Sequence, residues 1–355
     1  MMSQQISKDV CIGFFMETSF HYEVYRNIIT ELLKKKIHCE LIINDLIEPA
    51  FVNDMLTSLN KVCVAGLDCM LLSVAINTGK RYSGLVSPYY IEYLKDLSDI
   101  HIRTLYGLAK NQWNHAQWNA QYDAILCYSD YTKNMLPLDK TSVHIVGNPK
   151  FDDWHNQRYS KTLPENIIID AKKSTILYAP TYGELSSLTH WAEKLGRLGR
   201  EYNLVTKLHH GTLYRQSESA ALKIAKRHLK TIVSDSDITF TLLHQADYVI
   251  TDNSGFIFDA INADKKTILL NWHGMETLLT QNRTFSSVDS PEQQAREFLP
   301  VVNDMLDLRR YLANDYNWQQ HASRMAEIKT GYCDAFNDGK AGERAAQVII
   351  DTLNH

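Results

Sequence analysis

Titratable and polar residues recur just past the ends of short apolar runs in this chain. Glu17 and His21 follow Val10–Met16, and Tyr106-Gly107 follow Ile100–Leu105. Thr181 follows Thr175–Ala179, His209 follows Leu204–Leu208, and Asn253-Ser254-Gly255 follow Tyr248-Val249-Ile250. The last of these joins an apolar, β-rich run to Phe256, Ile257 and Ala260 at helical spacing through turn and cap residues. A strand feeding a helix through a Ser/Gly turn aims free backbone N–H groups at one point, where the helix dipole adds positive potential. Phosphate is the ligand such a point attracts. An ordinary βα turn looks the same, so the turn alone leaves both readings open.

Three further patterns invite chemistry. Asp235-Ser236-Asp237 looks like a metal-binding pair of carboxylates, but it precedes the helical run Ile238–Gln245, where Asp237 reads as an N-cap. His209-His210 sits at a strand end, where neighbouring side chains are expected on opposite faces, so the two do not readily grip one ion. No metal or other cofactor is expected. Trp113, Asn114, Trp118 and Tyr122 form an aromatic-polar stretch that would suit a sugar acceptor, and packing against a sheet explains it equally well.

The elements that must position these residues alternate. Strands at Val10–Met16, Cys39–Ile43, Val62–Ala65, Gly84–Val86, Ile100–Leu105, Ala124–Cys127 and Val143–Val146 interleave with helical stretches such as Tyr22–Lys36. The rhythm stops at Gly147-Asn148-Pro149 and restarts with strands at Thr175–Ala179, Leu204–Leu208, Thr231–Val233, Tyr248–Ile250 and Lys266–Leu270. Helices are expected at Leu185–Arg200, Leu213–His228 and Ile238–Gln245, and from Pro291 on. Alternation of this kind implies parallel sheets covered on both faces. The expected division is an N-terminal Rossmann-like acceptor domain over residues 1–148, a linker over 149–172, a nucleotide-donor domain over 173–335, and a C-terminal helix within 336–355. Two such domains in tandem usually bind ligand in the cleft between them, at the carboxyl ends of the strands.

Composition narrows the partners. Lys+Arg 37 against Asp+Glu 41 makes the chain slightly acidic, which argues against nucleic acid. The six cysteines show no ligand spacing and read as reduced core residues of a cytosolic protein. Met1 to Asp9 is polar, unlike a signal peptide, and no apolar run approaches the ~18 residues of a membrane span. Lys34-Lys35-Lys36 reads as the solvated end of a helix.

An ordered series of motifs resembles the CDP-glycerol glycerophosphotransferases that build teichoic acids and related capsule or O-antigen polymers. Ile176-Leu177-Tyr178-Ala179-Pro180-Thr181, Lys207-Leu208-His209, Ala246 to Asp259, and Asp338-Gly339-Lys340-Ala341-Gly342-Glu343-Arg344 are similar to that family's motifs. In the first half Leu105-Tyr106-Gly107-Leu108-Ala109-Lys110 and Gly147-Asn148-Pro149-Lys150-Phe151-Asp152 stand at matching places. The resemblance covers about residues 100–350 and implies the two-domain GT-B fold. Four positions depart from it. Tyr106 stands where the family has its N-terminal catalytic histidine, and Gly183 where an arginine is expected. Asn253 and Gly255 replace tyrosine and serine.

The resemblance implies a transferase that holds a nucleotide-linked donor, stabilises its leaving charge and deprotonates an acceptor hydroxyl. Thr181, Asn253, Ser254 and Gly255 would bind donor phosphate, with His209 donating to a phosphate oxygen or the leaving group. The nucleobase would lie near the Thr231–Asp237 loop. His21 is the expected base with Glu17 orienting it. Tyr106 is a weaker candidate, because tyrosine titrates near ~10. Lys110, Trp113 and Asn114 would meet the acceptor, a glycan or lipid-linked chain, at the cytoplasmic face of the membrane. The transferred group would be glycerol phosphate or a related polyol phosphate from a CDP-type donor. Two rivals stand beside this reading: an inverting glycosyltransferase using a nucleotide sugar, and a nucleotide-binding subunit without turnover. A UDP-sugar 2-epimerase-like activity shares the plan but would need several cleft carboxylates.

Overall fold

Short runs of Val, Ile, Leu and Phe that are buried on both faces suit parallel strands lying under helices. The computed structural model describes residues 10–354 apart from 63, 137–138, 282–284 and 314–317. The described chain divides into two compact units. One comprises residues up to Tyr106, Gln117–Gln157 and the chain from Ala335 on; the other comprises Gly107–Ala116 and Arg158–Asp334.

In the first unit seven strands form a parallel sheet: β1 Cys11–Met16, β2 His38–Ile43, β3 Leu67–Leu71, β4 Gly84–Ser87, β5 His101–Thr104, β6 Ala124–Cys127 and β7 Ser142–Ile145. Their order is β3-β2-β1-β4-β5-β6-β7. The order reverses between β1 and β4, so the crevice favoured for ligands opens past their carboxyl ends. The helix Ser19–Lys34 buries Val24, Ile28 and Leu32 in the same core as Ala345, Ala346 and Ile349 of the helix Ala341–Leu353. A Cβ added at Gly342 would stand 2.8 Å from the Asn27 carbonyl, so glycine is what lets these two helices approach.

Two motifs of the sequence meet in this unit and serve the fold. The buried Asp152 carboxylate accepts the N–H groups of Ala341 and Gly342 at 2.9 and 2.7 Å, capping the start of the last helix. Arg344 forks onto Asp338 at 2.8 and 2.9 Å, and its Nε donates to the Val146 carbonyl.

The second unit holds six parallel strands: β8 Thr175–Tyr178, β9 Asn203–Lys207, β10 Thr231–Val233, β11 Tyr248–Thr251, β12 Lys266–Leu270 and β13 Val301–Val302. Their order is β10-β9-β8-β11-β12-β13, with the switch between β8 and β11. Tyr178, Trp191, Leu195, Ile250, Ile268 and Trp318 lie in its core.

Several local expectations change. The strand expected at Val62–Ala65 lies at Leu67–Leu71, because Gly66 (φ +85°) turns the chain first; Cys63 falls outside the described residues. Cys69 is exposed on edge strand β3 and is no core residue, while Cys39, Cys127 and Cys333 are buried. The helix expected from Leu185 begins at Leu188, since the Ser187 N–H and hydroxyl both go to Asp252. The helix expected over Leu213–His228 splits into His210–Tyr214 and Ser219–His228 around the extended Arg215. Asp237 does not cap the next helix, which starts at Thr239; the Thr239 hydroxyl donates to the Ser236 carbonyl instead. β13 falls in a stretch expected to be helical.

Candidate functional site

In the second unit, Asp252 fixes the switch point. It is fully buried, and its carboxylate accepts the backbone N–H of Thr181 at 2.8 Å and of Ser187 at 2.7 Å. Burial pushes its pKa up, and these hydrogen bonds oppose the rise. The loop after β8 is thereby tied to the end of β11. Thr181, buried beside this junction, makes no side-chain hydrogen bond within the protein, so its hydroxyl is available to a ligand.

Asn253 is consumed by the fold. Its Nδ2 donates to the Leu185 carbonyl at 2.8 Å, and its Oδ1 accepts from Gln293 at 2.6 Å and Arg296 at 3.0 Å. The Ser254 hydroxyl accepts the Phe256 N–H at 3.2 Å. The helix after it, Phe256–Asn262, is only seven residues long. Gly255 is the most open part of the turn: a Cβ added there would meet only the Ala109 methyl, at 3.8 Å.

The cationic groups lie at the next strand end. His209 Nδ1 accepts the Gly211 N–H at 3.0 Å. A neutral imidazole that accepts on Nδ1 carries its proton on Nε2 and presents a donor there. Burial, then His210, Lys110, Lys207 and Arg215, hold the His209 pKa well below the usual histidine value, so the ring is neutral at pH 7. Tyr182 stacks on His209 with centroids 4.4 Å apart, and Lys110 Nζ lies 4.4 Å from the Tyr182 centroid. Gly211 permits this stack, since a Cβ there would come within 2.7 Å of the Tyr182 ring. The His209 and His210 rings lie 3.9 Å apart, centroid to centroid. The expected opposite orientation fails because β9 ends at Lys207 and His210 already belongs to a helix.

Lys110 reaches this cluster because its segment belongs to the second unit. Its N–H donates to the buried Glu292 carboxylate at 3.2 Å, and its backbone is left-handed at φ +65°. Asn114, buried, donates to the Ala109 carbonyl and so serves the turn. Trp113 packs on Phe285 with centroids 5.3 Å apart. Trp118 lies in the first unit over the buried Arg103, at 4.5 Å, and the Tyr122 hydroxyl pairs with Ser87.

A second polar group gathers at the switch point of the first unit. The Glu17 carboxylate accepts Asn44 Nδ2 at 2.6 Å and the Tyr89 hydroxyl. His21 is buried, and its Nδ1 accepts the Glu17 backbone N–H at 3.1 Å. Desolvation lowers the His21 pKa from 6.5 to about 3. Its ring is edged by Tyr89 and Tyr106, with centroids 5.8 and 6.0 Å away. His21 is therefore a neutral Nε2–H donor. Tyr89 and Tyr182 carry no motif signal of their own, although Tyr182 directly follows Thr181 in sequence. Among the described residues no group of three or more His, Cys, Asp or Glu could hold a metal ion, and no helix is long and apolar enough to cross a membrane.

Comparison with known proteins places the arrangement. A family model described as CDP-glycerol:poly(glycerophosphate) glycerophosphotransferase matches residues 99–351. No curated protein sequence matches the chain. Among solved structures, the wall teichoic acid polymerase TagF superposes with a TM-score of 0.69 at 15% identity, over 98% of this chain and 90% of that one. A TagF variant soaked with CDPG gives 0.68 at 15% identity, covering 98% and 89%. UDP-GlcNAc 2-epimerase from Neisseria meningitidis, bound to UDP-GlcNAc, gives 0.60 at 14% identity, covering 97% and 99%. At these identities the likeness is one of fold, and the fold is GT-B.

Proposed function

The chain belongs to the CDP-glycerol:poly(glycerophosphate) glycerophosphotransferase family, and from that premise we propose that it transfers glycerol phosphate from CDP-glycerol to a hydroxyl of a glycan or lipid-linked acceptor in surface-polymer synthesis. The observation that carries the donor reading is the His209 cluster. A neutral Nε2–H donor stands among Lys110, Lys207 and Arg215, beside the open Thr181 hydroxyl. Donors and cations fixed in advance stabilise a diphosphate and the charge that develops on its leaving phosphate. Gly255 offers room for close approach, while Asn253 and Ser254 shape the turn from behind.

The acceptor's proton is assigned to Glu17. His21 was the expected base with Glu17 orienting it, and the tautomer supports the reverse. His21 Nδ1 is spent on the Glu17 N–H, so its other ring nitrogen already carries a proton. In the proposed step the acceptor oxygen forms a bond to the phosphorus that carries glycerol. The bond from that phosphorus to the CMP oxygen breaks, the acceptor proton passes to Glu17, and CMP leaves with the charge on its phosphate. Tyr89 and Asn44 hold the Glu17 carboxylate in place. A nucleotide donor and a lipid-linked acceptor put the reaction at the cytoplasmic face of the membrane, with the protein peripheral to it.

Tyr106 in place of the family histidine favours the second reading, a nucleotide-sugar transferase. Measuring CMP release from CDP-glycerol, with UDP- and CMP-sugars in parallel, decides between them. CMP release that needs both acceptor and Glu17 is the expected result. Turnover of a UDP-sugar alone would overturn the donor, and tight binding without turnover would leave a nucleotide-binding subunit.

A further inference from the structure

A cavity of about 390 Å³ opens past the end of β12, lined by Trp272, His273, Glu276 and Gln293 among others. It adjoins the phosphate turn through side chains. Met275, which lines it, has its sulfur 3.4 Å from Asn253 Nδ2, and Gln293 Nε2 donates to Asn253 Oδ1 at 2.6 Å. Gln293 is only 8% exposed, yet its Oε1 has no hydrogen-bond partner within the protein. An amide oxygen that borders a cavity and has no partner in the protein is open to a donor from water or from a ligand hydroxyl.

We propose that this cavity is the subsite for the hydroxyl-bearing arm of the donor, the short polyol attached to its outer phosphate. The inference rests on the CDP-linked donor proposed above. The order of the sheet supports it. Thr181, His209 and the Asn253–Gly255 turn stand at the ends of β8, β9 and β11. β12 lies on the far side of β11 from β10, so a diphosphate held at β8, β9 and β11 has its two arms directed toward opposite edges. A vicinal diol is both donor and acceptor at each hydroxyl. Gln293 Oε1 and the Glu276 carboxylate accept from it, and the second Gln293 N–H donates to it. The Trp272 ring, stacked on His190 at 5.3 Å, walls the carbon chain.

The experiment is a calorimetric titration of the whole chain with CDP-glycerol, CDP and CMP, in wild type, Gln293→Leu and Glu276→Ala. Glu276 is exposed, so its variant keeps the test alive if Gln293→Leu fails to fold. Each variant is expected to bind CDP-glycerol about 3- to 10-fold more weakly, the loss of one hydrogen bond, with CDP and CMP unchanged. Parallel weakening of all three ligands would put the nucleoside in the cavity and overturn the inference, as would no change in any. Wild-type protein that binds CDP but rejects CDP-glycerol would overturn the donor reading itself, and this subsite with it.

Discussion

The role of His21 can be read from acid stability. Its ring is buried, and burial lowers its pKa from 6.5 to about 3. Between those values the unfolded chain binds a proton at this residue and the folded chain does not. Stability therefore falls as pH drops through that window, and the contribution is fully present only above the unfolded value. From about pH 7.5 to about pH 5.0 the loss from this one group is roughly 2 kcal/mol, from about 1.4 kcal/mol per pH unit below the unfolded pKa. His21→Asn keeps a polar side chain that does not titrate. Urea unfolding of wild type and variant at the two pH values measures it, since all other groups are common to both. The wild type is expected to lose roughly 2 kcal/mol more than the variant on acidification. Parallel losses would mean that His21 titrates normally in the fold and has regained a claim to be the base.

Four other outcomes follow from the geometry. Glu17→Gln should lower kcat by about 100-fold or more with CDP-glycerol binding retained; equal loss of both would make Glu17 a binding group. His209→Ala should weaken CDP binding roughly 10- to 100-fold, as expected for a hydrogen bond to a charged group, and Lys110→Ala should make binding less sensitive to added salt. Asp152→Ala should destabilise the first unit by about 3 kcal/mol by leaving the Ala341 and Gly342 N–H groups uncapped; an unchanged unfolding midpoint would contradict the capping role.

Much of this protein was legible in its residues. Alternating apolar runs and helical stretches determined two parallel-sheet units, since a strand buried on both faces must be apolar along its length. The ordered motifs pointed to the family and to the GT-B plan, and they placed Thr181 and His209 at strand ends, because such ends are where an α/β sheet meets its ligand. What each side chain does there was decided by tertiary contacts. Asn253 looked like a phosphate ligand, yet its amide is filled by Leu185, Gln293 and Arg296, residues far from it in the chain. Lys110 looked like part of an acceptor site, and the fold sets it over Tyr182 beside His209. Spacing alone could not show that His21 accepts the Glu17 N–H, and that one hydrogen bond fixes the tautomer. Sequence determines which groups are present and roughly which strand end they follow. Which lone pair or proton is left for a substrate depends on partners the folded chain brings together from elsewhere, and only the tertiary structure supplies those.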